Sequence, residues 1–108
     1  NARENLLEKT PIKLRDRIGR ALGVLENAHT INSTEAMNLL SLLRLAVDLK
    51  ALPEGSREDI DRLYIEVQPG HIQFLHKSTK DSEERDALRA DYLREQIRIL
   101  PKVDFSAI

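Results

Sequence analysis

The chain has 108 residues, close to the common size of one domain, and this length leaves no room for two independent hydrophobic cores. Its 17 Lys and Arg nearly balance 18 Asp and Glu, and the net charge of −1 argues against recruitment to nucleic acid or to an anionic membrane. The absence of cysteine excludes disulfide scaffolds and cysteine-dependent enzymes.

The beginning of the chain is typical of an excised domain. Met37 is the only methionine and the sequence opens with Asn1-Ala2, so we expect residues 1–2 to be a cloning scar and residues 3–108 to form a single helical domain. No apolar run approaches the roughly 18 residues of a membrane-spanning helix, and no signal peptide is recognisable. We therefore expect a soluble, cytoplasmic protein.

A first helix is predicted over about residues 11–27. Thr10-Pro11 is a typical helix start, because proline is tolerated at the first helical position. Apolar residues then recur with a period near 3.6. A separate basic stripe consists of Lys13, Arg17 and Arg20. We interpret this stripe as a solvated helix face, since the chain has few aromatic residues for base stacking.

A second helix is predicted to be the central one. Residues 32–35 form a capping-box pattern, in which Asn32 and Glu35 satisfy each other's backbone N–H groups. The helix is expected to continue to about Leu52, because Pro53 stops it. It is apolar on most sides, and only a narrow polar line interrupts it, formed by Ser41, Arg44 and Asp48.

The second half of the chain predicts further helices. Ser56 with Asp59 is expected to cap a shorter helix. Its apolar face comprises Ile60, Leu63, Tyr64 and Val67. A short helix is expected near 70–77, and a capping box at 81–84 opens a last helix that reaches about Leu100. The predicted fold is an all-α, compact helical bundle of about four to five helices.

Arg85 and Arg89 fall within the apolar half of the last helix. That half comprises Leu88, Tyr92, Leu93, Ile97, Ile99 and Leu100. The opposite, solvated half comprises Glu84, Asp91, Arg94, Glu95 and Arg98. Arginine is almost never fully buried without a partner, and an uncompensated buried charge costs several kcal/mol. Either acidic side chains neutralise the two arginines, or the arginines line a wet pocket.

Both interpretations have physical support. In the structural one, Asp86 pairs with Arg89 at i,i+3 and Arg44 or Asp48 lies nearby. In the functional one, two guanidinium groups near a helix N-terminus form an anion pocket, since arginine suits bidentate phosphate recognition. Asp86 beside them would match a ligand that is anionic at one end and cationic at the other, such as a phosphorylated guanidine.

The sequence Arg85-Asp86-Ala87-Leu88-Arg89-Ala90 reproduces the RDxxRA motif of the bacterial protein-arginine kinases, members of the ATP:guanido phosphotransferase family. Other blocks resemble the same family in order: Asp16-Arg17 to Arg20, Gly23-Val24-Leu25, Ala28, Ser33 to Met37, Ser41 to Leu45 and Gln68-Pro69-Gly70. The resemblance covers roughly Leu6 to Leu100. It identifies the chain with the family's C-terminal helical domain, which binds phosphoarginine and has an allosteric and targeting function.

This resemblance implies roles for individual residues. Arg85 and Arg89 would hold the phosphate of phosphoarginine, and Asp86 would hold its guanidinium group. His29 stands where the family commonly has arginine, so it is either a pocket residue that replaces this arginine or a surface loop residue. The chain also departs from the family at Ala46 and Lys50, where glycine is common.

The implied partners are phosphoarginine or arginine-phosphorylated proteins, the N-terminal kinase domain and a possible second copy of the chain. ATP and magnesium are expected in the kinase domain, and no cofactor or metal is expected here. The chain alone is expected to be inactive, because it has no glycine-rich phosphate loop. His71 and His76 lack the i,i+4 spacing of a helical zinc site. The competing hypothesis is a helical dimerisation or docking module whose Arg/Asp cluster is purely structural.

Overall fold

The computed structural model describes residues 2–71 and 82–108, with side chains from Leu14 onward. Within these ranges the helices are α1 (Ala2–Asn27), α2 (Ser33–Asp48), α3 (Ser56–Glu66) and α4 (Ser82–Ile99), followed by a short 3-10 helix (Phe105–Ala107). The predicted all-α bundle is confirmed. Residues 72–77 of the predicted short helix and Asp81 of the third capping box lie outside the described residues.

Helix α1 begins at Ala2, so the predicted start at Thr10-Pro11 was wrong, whereas the predicted end at residue 27 is confirmed. Residues 2–9 are mostly strong helix formers such as Ala, Leu, Glu, Arg and Lys. Their combined propensity carries the helix through Pro11, although proline removes one backbone hydrogen bond. Arg17 and Arg20 are exposed, as expected for a solvated face. The side chain of Lys13 lies outside the described part.

Helix α2 is the centre of the core, as predicted. Its buried residues are Ala36, Leu39, Leu40, Leu42, Leu43, Ala46 and Val47. The predicted capping box is present: Asn32 Oδ1 accepts from the Glu35 N–H at 2.8 Å, and Glu35 Oε1 accepts from the Asn32 N–H at 3.2 Å. Two side chains of its predicted polar line pair with α3, Arg44 with Asp61 at 3.4 Å and Asp48 with Arg57 at 2.7 Å.

Helix α2 ends at Asp48, four residues before the predicted end at Leu52. The chain turns because Lys50 adopts the left-handed conformation, with φ = 67°. The Lys50 N–H donates to the carbonyl of Val47 at 3.0 Å, and the Ala51 N–H donates to that of Ala46 at 2.8 Å. These two bonds form a Schellman motif, which normally has glycine at the left-handed position. The helix therefore ends by backbone geometry before Pro53 is reached.

The start of α3 differs from the prediction. Its N-cap is Gly55, which has no side chain to cap the helix, and Ser56 is buried as the first helical residue. Arg57 fastens this junction by bonding Glu54 and Asp48, and its hydrogen bond lowers the pKa of Glu54. The buried face of α3 comprises Ile60, Leu63 and the following Val67, whereas Tyr64 is exposed rather than part of that face.

Replacing Lys50 with glycine is expected to stabilise the domain. The left-handed conformation costs an L-residue roughly 1–2 kcal/mol, and glycine avoids this cost at some entropic loss in the unfolded chain. We expect Lys50→Gly to raise the free energy of unfolding by about 0.5–1 kcal/mol, measured by urea denaturation. Lys50→Ala, which keeps the Cβ atom, is the control. Equal stability of both variants and the parent would show that residue 50 stores no strain.

Candidate functional site

Arg89 on α4 joins three parts of the fold although its side chain is only 3% exposed. Its Nε–H donates to the carbonyl of Val67 at 2.8 Å, directly after the end of α3. Its Nη1 group donates to the carbonyl of Ile31 at 3.0 Å and to Asp86 Oδ1 at 2.5 Å. One guanidinium group thus connects the end of α3, the loop between α1 and α2, and the preceding turn of α4.

These contacts explain how a buried cation is tolerated. The Asp86 carboxylate balances its charge, and the Val67 carbonyl belongs to the negative end of the α3 dipole. In the described part of the chain, no buried side-chain nitrogen or oxygen lacks a hydrogen-bond partner. The i,i+3 pair proposed from the sequence is therefore present. Arg44 and Asp48, the other residues considered for it, pair with α3 instead.

Arg85 and Asp86 remain accessible. The side chain of Asp86 is 30% exposed, and only its Oδ1 atom accepts from Arg89. Arg85 is half-buried and forms no hydrogen bond or ion pair with any described residue. It lies in the first turn of α4 together with Glu83 and Glu84, whose carboxylates suit the positive end of the helix dipole. Within the described ranges, a cation without a partner and a carboxylate with one unused oxygen thus occupy neighbouring positions.

The loop of residues 28–31 runs beside the same part of α4. The Ile31 N–H donates to the Asp86 carbonyl at 3.1 Å, next to the bond from Arg89 to the Ile31 carbonyl. His29 is exposed within this loop. The structure therefore brings Arg89 and Asp86 into direct contact, whereas His29 forms no hydrogen bond or ion pair with Arg85, Asp86 or Arg89.

The sequence assigned Arg94 to the solvated half of α4, and this was wrong, because its side chain is only 17% exposed. Its Nε–H donates to the Leu25 carbonyl at 3.1 Å, and its Nη2 group donates to the Ala28 carbonyl. Both carbonyls lie at the C-terminal end of α1. A helical wheel of α4 cannot show this contact with another helix. One signal in the sequence was available: the last turn of α1 has no basic residue of its own, so its carbonyls favour a cation from elsewhere in the chain.

The other apolar residues predicted to face inward on α4 differ in how far they are buried. Ala90 and Leu93 are buried, and Leu88, Tyr92, Ile97 and Leu100 are partly buried. Ile99, predicted to face inward, is 76% exposed because α4 ends there and no described element covers it.

The Tyr92 hydroxyl donates to Glu66 Oε1 at 2.6 Å, and Arg62 bonds the same carboxylate at 2.9 Å. Burial and this hydrogen bond raise the pKa of Tyr92, so it stays a protonated donor beside the end of α3.

Neither metal ligation nor membrane insertion is indicated by the described residues. No group of three or more His, Cys, Asp or Glu side chains is arranged there to hold a metal ion. No helix in the described ranges has the length and apolarity needed to cross a membrane.

The chain is similar to known proteins along most of its length. Residues 11–107 match the family described as "Protein-arginine kinase McsB C-terminal domain". A protein-arginine kinase of Syntrophomonas wolfei is 41% identical over 96 residues, which cover 89% of this chain and 27% of the relative. Relatives of the same name are 37% identical in Clostridium kluyveri and 40% in Bacillus cereus strain AH187, each covering 91% of this chain and 28% of the relative. The chain thus spans little more than a quarter of these proteins.

Arg89→Leu is expected to destabilise the fold far more than Arg85→Leu. Removing Arg89 leaves the carbonyls of Val67 and Ile31 without their donor, and an unsatisfied buried acceptor costs roughly 1–3 kcal/mol. We expect a loss of about 3 kcal/mol for Arg89→Leu and less than about 0.5 kcal/mol for Arg85→Leu, by urea denaturation followed by circular dichroism. Equal losses for the two variants would contradict the anchoring role of Arg89.

Proposed function

Because this chain belongs to the family of protein-arginine kinase C-terminal domains, we propose that it is the phosphoarginine-binding, regulatory and targeting domain of such a kinase. The observation that supports this function best is the combination at the start of α4. There, Arg85 has no partner among the described residues, and Asp86 offers one unused carboxylate oxygen. These two groups complement a ligand with a phosphate at one end of a guanidine.

In the proposed complex, Arg85 contributes the accessible cation for the phosphate. Arg89 contributes through Nη2, since its Nε and Nη1 groups are already bonded to Val67, Ile31 and Asp86. The N–H groups of the ligand's guanidinium donate to the free Oδ2 atom of Asp86. Charge-assisted bonds of this kind are stronger than neutral ones, and the fixed fork of arginine matches the geometry of a phosphate.

His29 is proposed as an auxiliary residue of the same site. It lies in the loop whose Ile31 is bonded to both Asp86 and Arg89, so it stands near the start of α4. Where related proteins commonly have arginine, histidine offers fewer N–H donors. Its exposed position agrees with a supporting contact to the phosphate rather than an essential one.

The activity of the whole kinase is a further part of the proposal. Since the chain spans little more than a quarter of its relatives, transfer of phosphate from magnesium-bound ATP to protein arginine is assigned to the linked kinase domain. The present domain would recognise the product of that reaction. Its partners would be arginine-phosphorylated proteins and the kinase domain itself.

Titration with phosphoarginine by calorimetry tests this site. Arg85→Ala should weaken binding about ten- to hundredfold, the range expected for loss of a hydrogen bond to a charged group. Asp86→Asn keeps an oxygen that can accept from Arg89 but removes the negative charge. It should weaken phosphoarginine binding and leave the affinity for inorganic phosphate equal or higher.

The controls separate binding from charge and folding effects. Glu95→Gln removes an exposed carboxylate from the same helix and should bind phosphoarginine as the parent does. Arginine and inorganic phosphate are titrated separately. If the parent shows no phosphoarginine binding, and Asp86→Asn only lowers the melting temperature, the cluster is structural and the proposed function is wrong.

A second candidate function, self-association, is favoured by exposed apolar side chains. Leu45 on α2 is 44% exposed, Leu49 directly after the end of α2 is 41% exposed, and Ile65 on α3 is 51% exposed. Exposed apolar side chains are typical of interaction sites when they form one contiguous patch. An isologous dimer would bury it against a second copy.

Light scattering at several protein concentrations tests self-association. We expect a dimer for the parent and a shift toward monomer for the double variant Leu45→Glu, Leu49→Glu, because two charges on the apposed face are repelled and poorly solvated there. Substituting the exposed Arg17 on α1 with glutamate is the control and should leave the mass unchanged. A strict monomer at all concentrations would contradict dimerisation.

A further inference from the structure

We propose that Arg94 is a positioning residue of the phosphoarginine site. It holds the loop of residues 28–31 beside Asp86, so that this loop forms a second side of the site. This inference rests on the proposed function. Arg94 lies outside the motif at 85–90, and the helical periodicity of the sequence predicted that it faces solvent. Its role follows from hydrogen bonds that join α4 to the ends of one loop.

The loop is fastened at both ends by the same helix. At its start, Arg94 donates through Nε to the Leu25 carbonyl at 3.1 Å and through Nη2 to the Ala28 carbonyl. At its end, the Ile31 N–H donates to the Asp86 carbonyl, and the Ile31 carbonyl accepts from Arg89. The side chain of His29 therefore emerges from a segment that has little freedom to move away from α4.

The spacing of the two anchors matches the length of the loop. Asp86 and Arg94 are separated by eight residues of helix, which corresponds to about 12 Å along the axis. The three residue steps from Ala28 to Ile31 span at most about 11 Å when fully extended. Long side chains on a helix point back toward its N-terminus, so the Arg94 side chain can cover the remaining distance. The loop therefore lies along α4 from Arg94 to the turn that carries Asp86.

This position needs arginine rather than any cation. The guanidinium group directs Nε and Nη2 toward two different carbonyls while Nη1 bonds Asp91 at 3.0 Å. A lysine ammonium is a single point of charge and cannot reproduce this planar arrangement. Lysine would keep the favourable charge at the C-terminus of α1 but lose one of the two fixed carbonyl contacts. The start of the loop would then be held less firmly in the free protein, and the cost of ordering it on binding would lower affinity.

The test compares Arg94→Lys with Arg98→Lys. Arg98 is a matched control because it lies one turn further along α4 and also bonds α1, through the exposed Glu26 side chain at 3.2 Å. We expect Arg94→Lys to weaken phosphoarginine binding about three- to tenfold and Arg98→Lys to leave it unchanged. Affinities are measured by calorimetry at a temperature at which circular dichroism shows each variant to be fully folded.

A spectroscopic measurement separates positioning from simple stabilisation. In the parent, the amide resonances of His29 and Thr30 should shift on addition of phosphoarginine, and in Arg94→Lys the Ile31 amide should lose protection from hydrogen exchange even without ligand. If the parent binds and Arg94→Lys binds equally well with only a lower melting temperature, the positioning role is wrong and the proposed function stands. If the parent binds no phosphoarginine, both are wrong.

Discussion

Burial of the Arg89 guanidinium group is the constraint on which the arrangement of this domain depends. A cation that is 3% exposed is stable only if its donors are matched by acceptors, and here these come from three separate parts of the chain. The end of α3, the loop before α2 and the first turns of α4 must converge on one point to supply them. Hydrophobic packing brings these elements together, because Ile31, Val67 and Ala90 are buried around the same place. The hydrogen bonds of Arg89 then fix their relative register, since a carbonyl displaced by one residue would no longer reach the guanidinium group.

Two arginines of α4 each bind the carbonyl groups at the C-terminal end of another helix. Neither α1 nor α3 has a basic residue in its last turn, so the carbonyls at their C-terminal ends lack a cation from their own helices. Arg94 supplies it for α1, and Arg89 supplies it for α3 through Val67. Each arginine also has one carboxylate on its own helix three residues earlier, Asp91 and Asp86 respectively. The two pairs differ in exposure: Arg94 and Asp91 are 17% and 73% exposed, whereas Arg89 and Asp86 are 3% and 30% exposed.

The parts of this fold that could be predicted from sequence are those set by local chemistry. The capping box at Asn32 and the apolar periodicity of α2 depend on residues within one or two turns, and both predictions are confirmed. The motif at 85–90 identified an unusual cluster because charged residues on an apolar face stand out in any helical wheel. The end of α2 was missed because a left-handed Lys50 is unusual, and the position of Arg94 was missed because it depends on where α1 ends in space. The predicted start of α1 at Thr10-Pro11 was wrong for another reason. The helix propensity of the residues before a proline can outweigh the free-energy cost of placing proline within a helix.

The geometry of Asp86 links the structural and the functional interpretations of the cluster. Its Oδ1 atom neutralises Arg89, while Oδ2 has no hydrogen-bond partner among the described residues, so one carboxylate can serve both purposes at once. In the proposed complex, a ligand guanidinium that binds Oδ2 would not need to displace Arg89, and the ligand phosphate would add negative charge beside Arg85 and the Nη2 group of Arg89, for which the described residues provide no hydrogen-bond partner. Binding would therefore stabilise the same hydrogen bonds that hold Val67 and Ile31 in place. Under the proposed function, a ligand that binds only the folded state would raise the stability of these bonds, and through them that of the contacts of α4 with α3 and with the α1–α2 loop.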